Sequence, residues 1–435
     1  MVRQILPTQS KAPVLVIGGG PAGCTMAILL AESGRECIVL EDGNTPDMIV
    51  GESLIPAVVP VLKRLGVTDA VDKVCNRKPG VTFLHDELEP IEFRFPNNRN
   101  GVPNFSWNAP RPTFDNILRE RAIELGAHFV LHRANLENGI AGGNELVLGE
   151  NTLAAIGLNE QPSFIIDATG RVRLAAKTLG IEATRGKRTD ISHFAHFTGG
   201  MRPDPEGTVV IIRLAGGGWA WVIPLPDRVS IGIVVGKEIA KSLGATAEER
   251  LATVMANEPL LRPYACGAKR ISNTATYSNY QLTSTRGHGA GWASVGDAYG
   301  FVDPMLSSGL FMGLESARSF FDATFGAGLS PDDTQRWSKA ADGHYREMGR
   351  WFRSWEELIS YFYNGDLFRL CQAGGKAAQQ YNNSVSRFME RQTSRRISGM
   401  ASGATTRSAI NKTFLRLVIH HLTWNTQSSE ELMIR

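Results

Sequence analysis

The sequence predicts an α/β protein in which a Rossmann-like parallel sheet carries an inserted antiparallel sheet and precedes a C-terminal helical region. Three patterns support this fold: a strand–helix–strand unit over 13–41, a β-rich stretch over 185–285, and mostly helical patterns over 331–435. Strands that alternate with helices indicate a parallel sheet, and short strands separated by turn residues indicate an antiparallel one. We therefore expect a parallel-sheet domain over 1–80, 105–184 and 286–330, a β-rich domain over 81–104 and 185–285, and helices over 331–435.

The most regular unit is PVLVIGGGPAGCTMAILLAESGRECIVLE, residues 13–41. Its apolar run Val14–Ile17 predicts a strand, and the apolar periodicity from Pro21 to Ser33 predicts a helix that Gly34 ends. A second strand follows in ECIVLE. Further along, TFDNILRERAIELG predicts an amphipathic helix, SFIIDATG a strand, and SSGLFMGLESARSFFDATF another helix, whereas SGMASGATTRS (398–408) predicts a loop.

Size and composition exclude several classes of protein. The 435 residues are 43% apolar and 20% charged, with a formal net charge of +3, so nothing demands nucleic acid or an anionic membrane as a partner. We find no signal-peptide pattern in the first twenty residues, and no run of about 18 apolar residues that would span a membrane. The five cysteines are scattered without metal-ligand spacing. We expect reduced thiols, no metal site and a cytoplasmic location.

A nucleotide-binding motif joins the first strand to the first helix. Gly18, Gly20 and Gly23 form G-x-G-x-x-G, whose glycines permit a tight turn, close approach of a pyrophosphate and close helix–strand packing. The helix N-terminus then offers N–H groups and a partial positive charge to the phosphates. Glu41 ends the second strand, where a carboxylate can accept a ribose hydroxyl and would repel a 2′-phosphate. The pattern predicts FAD or NAD rather than NADP, and the glycines do not separate the first two.

Two later strand ends favour an extended cofactor. DATGR (167–171) and GDAYGFVDP (296–304) each follow an apolar strand, which puts Asp297 in position for a polar contact with a second part of the cofactor. After Pro304 a helix begins at SSG, and its N-terminal dipole points toward the same region. Each feature alone is equally typical of a turn or a helix cap.

The string GGWAWVIPL (217–225) contains two tryptophans two residues apart. In a strand, Trp219 and Trp221 point to the same face of the sheet. Two bulky side chains on one face either fill a hydrophobic core or form a wall beside a cavity. The alternation alone does not distinguish these two interpretations.

Taken with PRPTFDNILRERA, these motifs resemble the p-hydroxybenzoate hydroxylase type of FAD-dependent monooxygenase, over about residues 12–325. Within that superfamily the chain is most similar to flavin-dependent halogenases. WAWVIP fits their W-x-W-x-I-P pattern, FVDPMLSSG fits F-x-x-P-x-x-S-x-G, and GESLIP and RKPGVTF resemble segments of halogenases that act on phenols. The resemblance implies FAD, used as FADH₂, with halide and O₂ as co-substrates.

The resemblance also implies roles for individual residues. The expected cofactor contacts are Gly18, Gly20, Ala22, Gly23, Glu41, Ser53, Arg111, Gly296, Asp297, Pro304 and Gly309. The expected halide site, for chloride or bromide, is Ser307, Ser308 and Gly309, and the expected wall between flavin and organic substrate is Trp219, Trp221 and Pro224. Lys78 is expected to handle hypohalous acid, as a hydrogen-bond donor or as a haloamine. Glu52 is a candidate general base, and the alternative is that it only shapes the loop beside the flavin.

One departure from the pattern concerns the substrate. Leu306 stands where tryptophan halogenases carry a glutamate directly before the serine-containing turn. This favours a phenolic or pyrrolic substrate, free or tethered to an acyl carrier protein, because a phenolate oxygen itself drives the substitution. A basic C-terminal run is a candidate contact for such a carrier, although a solvated helix face is the commoner explanation. The run comprises Arg387, Arg391, Arg395, Arg396, Arg407, Lys412 and Arg416.

Other functions fit the same motifs. The sequence has no second G-x-G-x-x-G for NAD(P)H, so a halogenase would receive FADH₂ from a separate flavin reductase. An aromatic hydroxylase of the same superfamily would oxidise NAD(P)H itself and would need neither halide nor Lys78. A catalytically silent FAD-binding module is a further alternative. So is a reductase of isoprenoid double bonds, in which the tryptophan pair would line an apolar channel.

Overall fold

The computed structural model describes residues 12–44, 46–97, 101–139, 144–186, 188–278, 281–381 and 384–422. The elements of the first part of the chain are β1 (Val14–Ile17), α1 (Pro21–Glu32), β2 (Cys37–Glu41), α2 (Val58–Arg64), α3 (Thr68–Val74), β3 (Asn76–Lys78), β4 (Gly80–His85), β5 (Leu88–Arg94), β6 (Ser106–Asn108), α4 (Arg111–Glu124), β7 (His128–Leu131), β8 (Leu136–Asn138), β9 (Leu146–Leu148), α5 (Glu150–Ala155), β10 (Phe164–Asp167) and α6 (Leu174–Thr178).

The elements of the remainder are β11 (Ala183–Arg185), β12 (Asp190–Thr198), β13 (Val209–Arg213), β14 (Trp219–Pro224), β15 (Val229–Gly236), α7 (Lys237–Leu243), α8 (Ala247–Asn257), α9 (Arg262–Ala265), β16 (Lys269–Arg270), β17 (Ala275–Ser278), β18 (Leu282–Ser284), β19 (His288–Gly289), β20 (Trp292–Ser294), β21 (Gly300–Phe301), α10 (Gly309–Ala323), α11 (Thr334–Tyr363), α12 (Asp366–Tyr381), α13 (Ser384–Ala401) and α14 (Ala409–Leu422). Short 3₁₀ turns cover Gly170–Val172, Gly296–Ala298 and Pro304–Leu306.

The predicted parallel sheet is confirmed. Six strands run in the order β19–β20–β10–β1–β2–β7, and every pair is parallel except β19 with β20. The residues of β1 and β10 are all buried, as expected for strands covered on both faces. Helices α1 and α10 pack against each other beside this sheet. Their N-termini, and the ends of β1, β10 and β20, carry the motifs singled out in the sequence.

The inserted sheet is also confirmed. Its order is β16–β12–β15–β14–β13–β4–β5, with β17 on β12, and it is antiparallel except where β13 runs parallel to β4. The period of two divides its side chains between two cores. Val209, Ile211, Trp219 and Trp221 belong to the main core, whereas their neighbours in the strands pack on the opposite face with residues of α7 and α8. One face of this sheet therefore points toward the centre of the molecule.

The C-terminal region is helical, as predicted, and returns to the inserted sheet. Phe362, near the end of α11, stacks on Phe83 of β4 with ring centroids 4.7 Å apart. The loop predicted over 398–408 is wrong at its start, because α13 continues to Ala401. The inner face of α13 is apolar, with Ile397 and Met400 almost fully buried. This packing extends the helix into the glycine- and serine-rich stretch. Within the described ranges, none of the helices combines the length and apolar composition that crossing a membrane requires.

Candidate active site

A cavity of about 220 Å³ lies between the glycine motif and the inner face of the inserted sheet. We call it the glycine-motif cavity. Most of the residues predicted to bind cofactor or halide, to form the wall or to act in catalysis line it, although they come from distant parts of the sequence. They are Gly20, Ala22, Glu52, Ser53, Arg111, Trp219, Trp221, Asp297, Pro304, Ser307 and Gly309.

The three motif glycines are required for different reasons. Gly18 has φ of +105°, and a Cβ there would lie 2.4 Å from the carbonyl oxygen of Ala168. A Cβ at Gly23 would lie 1.9 Å from the carbonyl oxygen of Gly18, so this glycine lets α1 pack against the strand end. Gly20 differs, because a Cβ there would have no atom within 4 Å. It leaves space at the N-terminus of α1, which suits the pyrophosphate of a dinucleotide.

The acidic residue of the motif lies at the end of β2, as expected. Its carboxylate pairs with the guanidinium of Arg119 from α4. The other oxygen approaches Gly19, where a Cβ would lie 1.9 Å from Glu41 Oε1. Glu41 thus lies beside the motif but outside the group of residues that line the cavity.

Arg111 and Asp297 form a polar part of the cavity wall. The guanidinium of Arg111 donates hydrogen bonds of 2.9 and 3.0 Å to the two carboxylate oxygens of Asp115, and one of 2.5 Å to the carbonyl oxygen of Val50. These bonds fix its orientation. Burial raises the pKa of Asp297 to about 6, against the lowering effect of Arg111 and Arg171.

The two tryptophans belong to the hydrophobic core and also line the cavity. Trp219 and Trp221 face the same side, with ring centroids 5.8 Å apart, and both line the glycine-motif cavity. Trp219 Nε1 donates to Tyr363 Oη at 3.1 Å, and Trp221 Nε1 donates to Ser230 Oγ at 3.2 Å. Their indole N–H groups are therefore satisfied away from the cavity, and an aromatic surface remains toward it.

Pro224 differs from the rest of its motif. It lines neither the glycine-motif cavity nor the smaller cavity next to it. Its carbonyl oxygen accepts hydrogen bonds from Asn108 Nδ2 at 3.2 Å and from Asn76 Nδ2 at 3.3 Å. In this structure Pro224 joins β14 to the β3–β6 pair and has no direct part in the cavity wall.

The serine-containing turn leads into α10. Asp303 caps the 3₁₀ turn before it, accepting a hydrogen bond from the backbone N–H of Met305 at 2.9 Å. Ser307 then has φ of +56°, an uncommon value for a residue other than glycine. Ser308 is fully buried, and its hydroxyl has no hydrogen-bond partner among the described residues. Gly309 begins the 15-residue helix, so the turn faces its N-terminal dipole.

A second, smaller cavity of about 30 Å³ lies on the same face of the inserted sheet, across β13 toward β4 and β5. We call it the Lys78 cavity. Apart from Lys78 and two serines its lining is apolar and includes four phenylalanines: Ile55, Val81, Phe83, Phe93, Phe95, Leu306, Phe362, Ile397, Ser398 and Ala401, together with Val209, Ile211, Met305 and Ser307. The last four also line the glycine-motif cavity, so they form the partition between the two.

Lys78 is almost fully buried, with 1% of its surface exposed. Its ammonium donates to Ser53 Oγ at 2.7 Å and to the carbonyl oxygen of Leu54 at 3.1 Å, and it lies 5.4 Å from the ring centroid of Phe95. Burial lowers the pKa of Lys78 to about 7. Because Ser53 lines the glycine-motif cavity, a single hydroxyl connects that cavity to the lysine.

Glu52 is not beside Lys78 in the small cavity. It lines the glycine-motif cavity, and its Oε1 is 2.6 Å from Nε2 of His196 on β12. Both side chains are largely buried. This contact links the GESLIP segment to the inserted sheet. The prediction that Glu52 is a general base therefore gains no support from its location, because Glu52 does not line the Lys78 cavity.

The sequence as a whole matches a known domain. Residues 11–317 match the family model described as the FAD binding domain, which is more than half of the 435 residues. The chain belongs to the FAD-binding domain family. This confirms the prediction of FAD as the cofactor, and the cradle at Gly20 fits such a group.

The relatives of this FAD-binding chain include halogenases. It is 28% identical over 382 residues to the 1H-pyrrole-2-carbonyl-[peptidyl-carrier protein] chlorinase of Pseudomonas fluorescens, covering 80% of this chain and 83% of that protein. It is 30% identical to a flavin-dependent halogenase of Armillaria mellea, covering 70% of this chain but only 63% of the fungal protein. The structure of the myxobacterial chondrochloren halogenase CndH is similar, with 26% identity and a TM-score of 0.67 over 79% of this chain and 81% of that one. The predicted resemblance to flavin-dependent halogenases is confirmed.

Sequence reasoning missed several residues of the site in this FAD-binding protein. Asp303 lies within FVDPMLSSG, and an aspartate directly before a proline is a helix N-cap signal that could have identified it. Val209 and Ile211 could have been found from their alternation in GTVVIIRL. Tyr363 and His196 carry no local signal, because only the tertiary fold brings them to Trp219 and Glu52.

Proposed function

We propose that this protein is an FAD-dependent halogenase in which halide is oxidised in the glycine-motif cavity and the organic substrate is halogenated in the Lys78 cavity. One observation carries the proposal. Two adjoining cavities share a partition of four residues, with a tryptophan pair on one side and a buried lysine on the other. Such a division suits a reaction whose oxidant must form away from the substrate and then reach it.

The glycine-motif cavity is the proposed site of the reduced flavin and the halide. When bound, FADH₂ and O₂ supply the two-electron oxidation of halide to hypohalous acid. We assign the phosphate contacts to Gly18, Gly20 and Gly23 with the start of α1, and polar contacts to Arg111 and Asp297. The aromatic faces of Trp219 and Trp221 exclude both water and a bulky organic ring from this side.

The turn over Ser307, Ser308 and Gly309 is the proposed halide site. Backbone N–H groups at the N-terminus of a 15-residue helix, with its partial positive charge, suit a small anion. The hydroxyl of Ser308 is buried and has no partner among the described residues, but Ser308 is not among the residues that line either cavity, so we assign the halide to the backbone N–H groups of the turn. Ser307 belongs to the partition, so an anion oxidised here would form beside the route to Lys78.

Lys78 is the proposed residue that receives hypohalous acid. An ammonium has three N–H donors, and the described contacts use two of them, on Ser53 and Leu54. The third can donate to the oxygen of hypohalous acid and leave its halogen electrophilic. In the reaction a carbon–halogen bond forms, the carbon–hydrogen bond breaks, and the proton joins the departing hydroxide as water. A pKa of about 7 leaves both the ammonium and the amine accessible near neutral pH.

The lining of the Lys78 cavity supports an uncharged, electron-rich ring as the substrate. It is apolar and aromatic, and Leu306 supplies no carboxylate at the point where tryptophan halogenases carry one. The cavity volume of about 30 Å³ is far below the roughly 150 Å³ of an engineered cavity that holds benzene, so substrate must displace lining side chains. We propose a phenol or pyrrole, and relatives that act on carrier-bound pyrrole make an acyl carrier protein a reasonable partner. FADH₂ would come from a separate flavin reductase.

The proposed function is tested with purified protein, FAD, a flavin reductase, NADH and a panel of phenols and pyrroles, with bromide and then with chloride. Mass spectrometry should find the isotope doublet of a halogenated product, which requires the protein and persists with catalase and a hypohalite scavenger. Addition of one oxygen without dependence on halide would contradict the proposal and indicate an aromatic hydroxylase. The panel also includes the same rings bound to a carrier protein, because some relatives are named for action on carrier-bound pyrrole.

A further inference from the structure

A chain of buried hydrogen bonds joins the tryptophan wall to the serine-containing turn. Trp219 Nε1 donates to Tyr363 Oη at 3.1 Å, and the Tyr363 hydroxyl donates to Asp303 Oδ1 at 3.0 Å. Each of the three side chains is at least 95% buried. The wall lies on β14, the turn precedes α10, and the residue between them ends α11. Three distant segments thus meet at one phenolic oxygen.

The carboxylate at the end of this chain sets the backbone of the turn. Asp303 Oδ1 also accepts from the backbone N–H of Met305 at 2.9 Å, and Oδ2 accepts from Gln281 Nε2 at 3.2 Å. The turn that it caps leads directly to Ser307, which has positive φ and lines both cavities. A shift of Asp303 would therefore move the residues proposed to hold halide.

The tyrosine is itself held firmly. The guanidinium of Arg188 lies 3.7 Å from the centroid of its ring and donates to Asp190 at 2.6 Å. The preceding residue, Phe362, lines the Lys78 cavity and stacks on Phe83. At the end of α11, Phe362 therefore lines the Lys78 cavity, and the next residue, Tyr363, contacts the tryptophan wall of the glycine-motif cavity.

We propose that Tyr363 is a positioning residue that fixes Trp219 and the 303–309 turn relative to each other, so that halide is bound and its oxidised product is directed toward Lys78. This inference rests on the proposed function. Without the phenolic hydroxyl, the indole N–H and one carboxylate oxygen would each lose a partner in a dry environment. The wall and the turn would then relax independently, since the phenolic oxygen is their shared hydrogen-bond partner.

The test compares Tyr363→Phe with Tyr361→Phe. The control removes the same hydroxyl from the same helix, but that of Tyr361 donates to Glu357 Oε1 at 3.0 Å, away from both cavities. Bromide is titrated into protein loaded with oxidised FAD, and binding is followed by the visible absorbance of the flavin. Tyr363→Phe should raise the half-saturating bromide concentration about fivefold to tenfold, the effect of one buried hydrogen bond. Tyr361→Phe should leave it unchanged.

A second readout follows the fate of the oxidant. In single turnovers with FADH₂ and bromide, Tyr363→Phe should convert a smaller fraction of the oxidised flavin into brominated product and release more hypobromite to a soluble trap. A purely structural role would lower thermal stability and leave this partition unchanged. Equal partition and equal bromide binding in the two tyrosine variants would overturn the proposal.

Trp219→Phe alone keeps the inference testable if Tyr363→Phe folds poorly, and a double-mutant cycle adds a further test where both variants fold. Trp219→Phe removes the same hydrogen bond from its other end, and it should weaken bromide binding to a similar extent. The variant with both substitutions should lose little more than either alone, because the two residues act as one unit. Additive losses, or unchanged bromide binding in Trp219→Phe, would contradict the inference. A wild-type protein that neither binds bromide nor forms brominated product would contradict the proposed function, and this inference with it.

Discussion

The two cavities share one face of the inserted sheet, but the chain builds them differently. The glycine-motif cavity is formed where strands end and helices begin, by short motifs that are each continuous in sequence. The Lys78 cavity is formed by alternate residues of β4, β5 and β13 and is closed by α11 and α13 from the C-terminal region. The first therefore depends on backbone geometry that glycine permits, and the second on side-chain packing. Single substitutions should therefore affect one cavity without affecting the other.

The largest effect is expected on the glycine side. Gly20→Val adds a side chain where a Cβ meets no atom within 4 Å, and the backbone there is extended, so the fold should tolerate it. The new methyl groups would occupy space needed by the pyrophosphate. We expect FAD binding, measured by fluorescence titration, to be lost while the unfolding free energy of the apoprotein stays within about 0.5 kcal/mol of wild type. Gly216→Val, at an exposed turn with equally open space, should retain FAD.

The next effect concerns the charge buried in the Lys78 cavity. The native pKa of Lys78 is about 7, below the value near 10.5 of an exposed lysine, so the unfolded chain binds more protons between these pH values. Wild-type stability should therefore rise with pH over that range. Relative to wild type, Lys78→Met should be most stabilised at pH 6 to 7 and should lose this advantage, amounting to several kcal/mol, by about pH 10. Urea unfolding at a series of pH values measures the difference. The exposed Lys73, changed to Met, should show no such trend.

A smaller effect is expected where packing closes the Lys78 cavity. Ile397→Ala removes a side chain that is 1% exposed and lines the cavity, so it should cost about 2 to 5 kcal/mol of unfolding free energy. The same change at Ile410, which is 74% exposed, should cost less than about 0.5 kcal/mol. The enlarged cavity should also accept bulkier phenols. An unchanged stability for Ile397→Ala would mean that α13 does not close the cavity in solution.

The smallest effect tests the turn that borders both cavities. Burial raises the pKa of Asp303 to about 6, so the native state binds more protons than the unfolded chain between about pH 4 and 6. Stability from this group is present at low pH and is lost as pH rises through 6. Asp303→Asn keeps an acceptor for Tyr363 and Met305 without the charge. We expect the unfolding free energy of Asp303→Asn, relative to that of wild type, to be about 1 to 3 kcal/mol higher at pH 8 than at pH 4. A difference between variant and wild type that does not change with pH would contradict a buried, ionising Asp303.

The difference between the two cavities also explains which parts of the fold and of the site the sequence predicts. The parallel sheet, the inserted sheet and the glycine motif follow from local patterns, and so does the shared face of Trp219 and Trp221. Tyr363 and Ile397 could not be predicted, because a helix in the last quarter of the chain gives no sign of which sheet it will cover. The start of the loop expected over 398–408 was wrong for a related reason, because α13 continues to Ala401. Burial of Ile397 and Met400 outweighs the weak helix propensity of the residues around them.

The most direct test of the division between the two cavities is a single turnover of Lys78→Met with FADH₂, O₂, bromide, the phenol or pyrrole brominated by the wild type, and a soluble trap for hypobromous acid. If oxidant forms on one side and is used on the other, flavin oxidation and bromide consumption should match the wild type. Brominated substrate should fall at least about a hundredfold, and the missing bromine should appear in the trap. Lys73→Met should behave as wild type. Brominated substrate at the wild-type level from Lys78→Met would contradict the account.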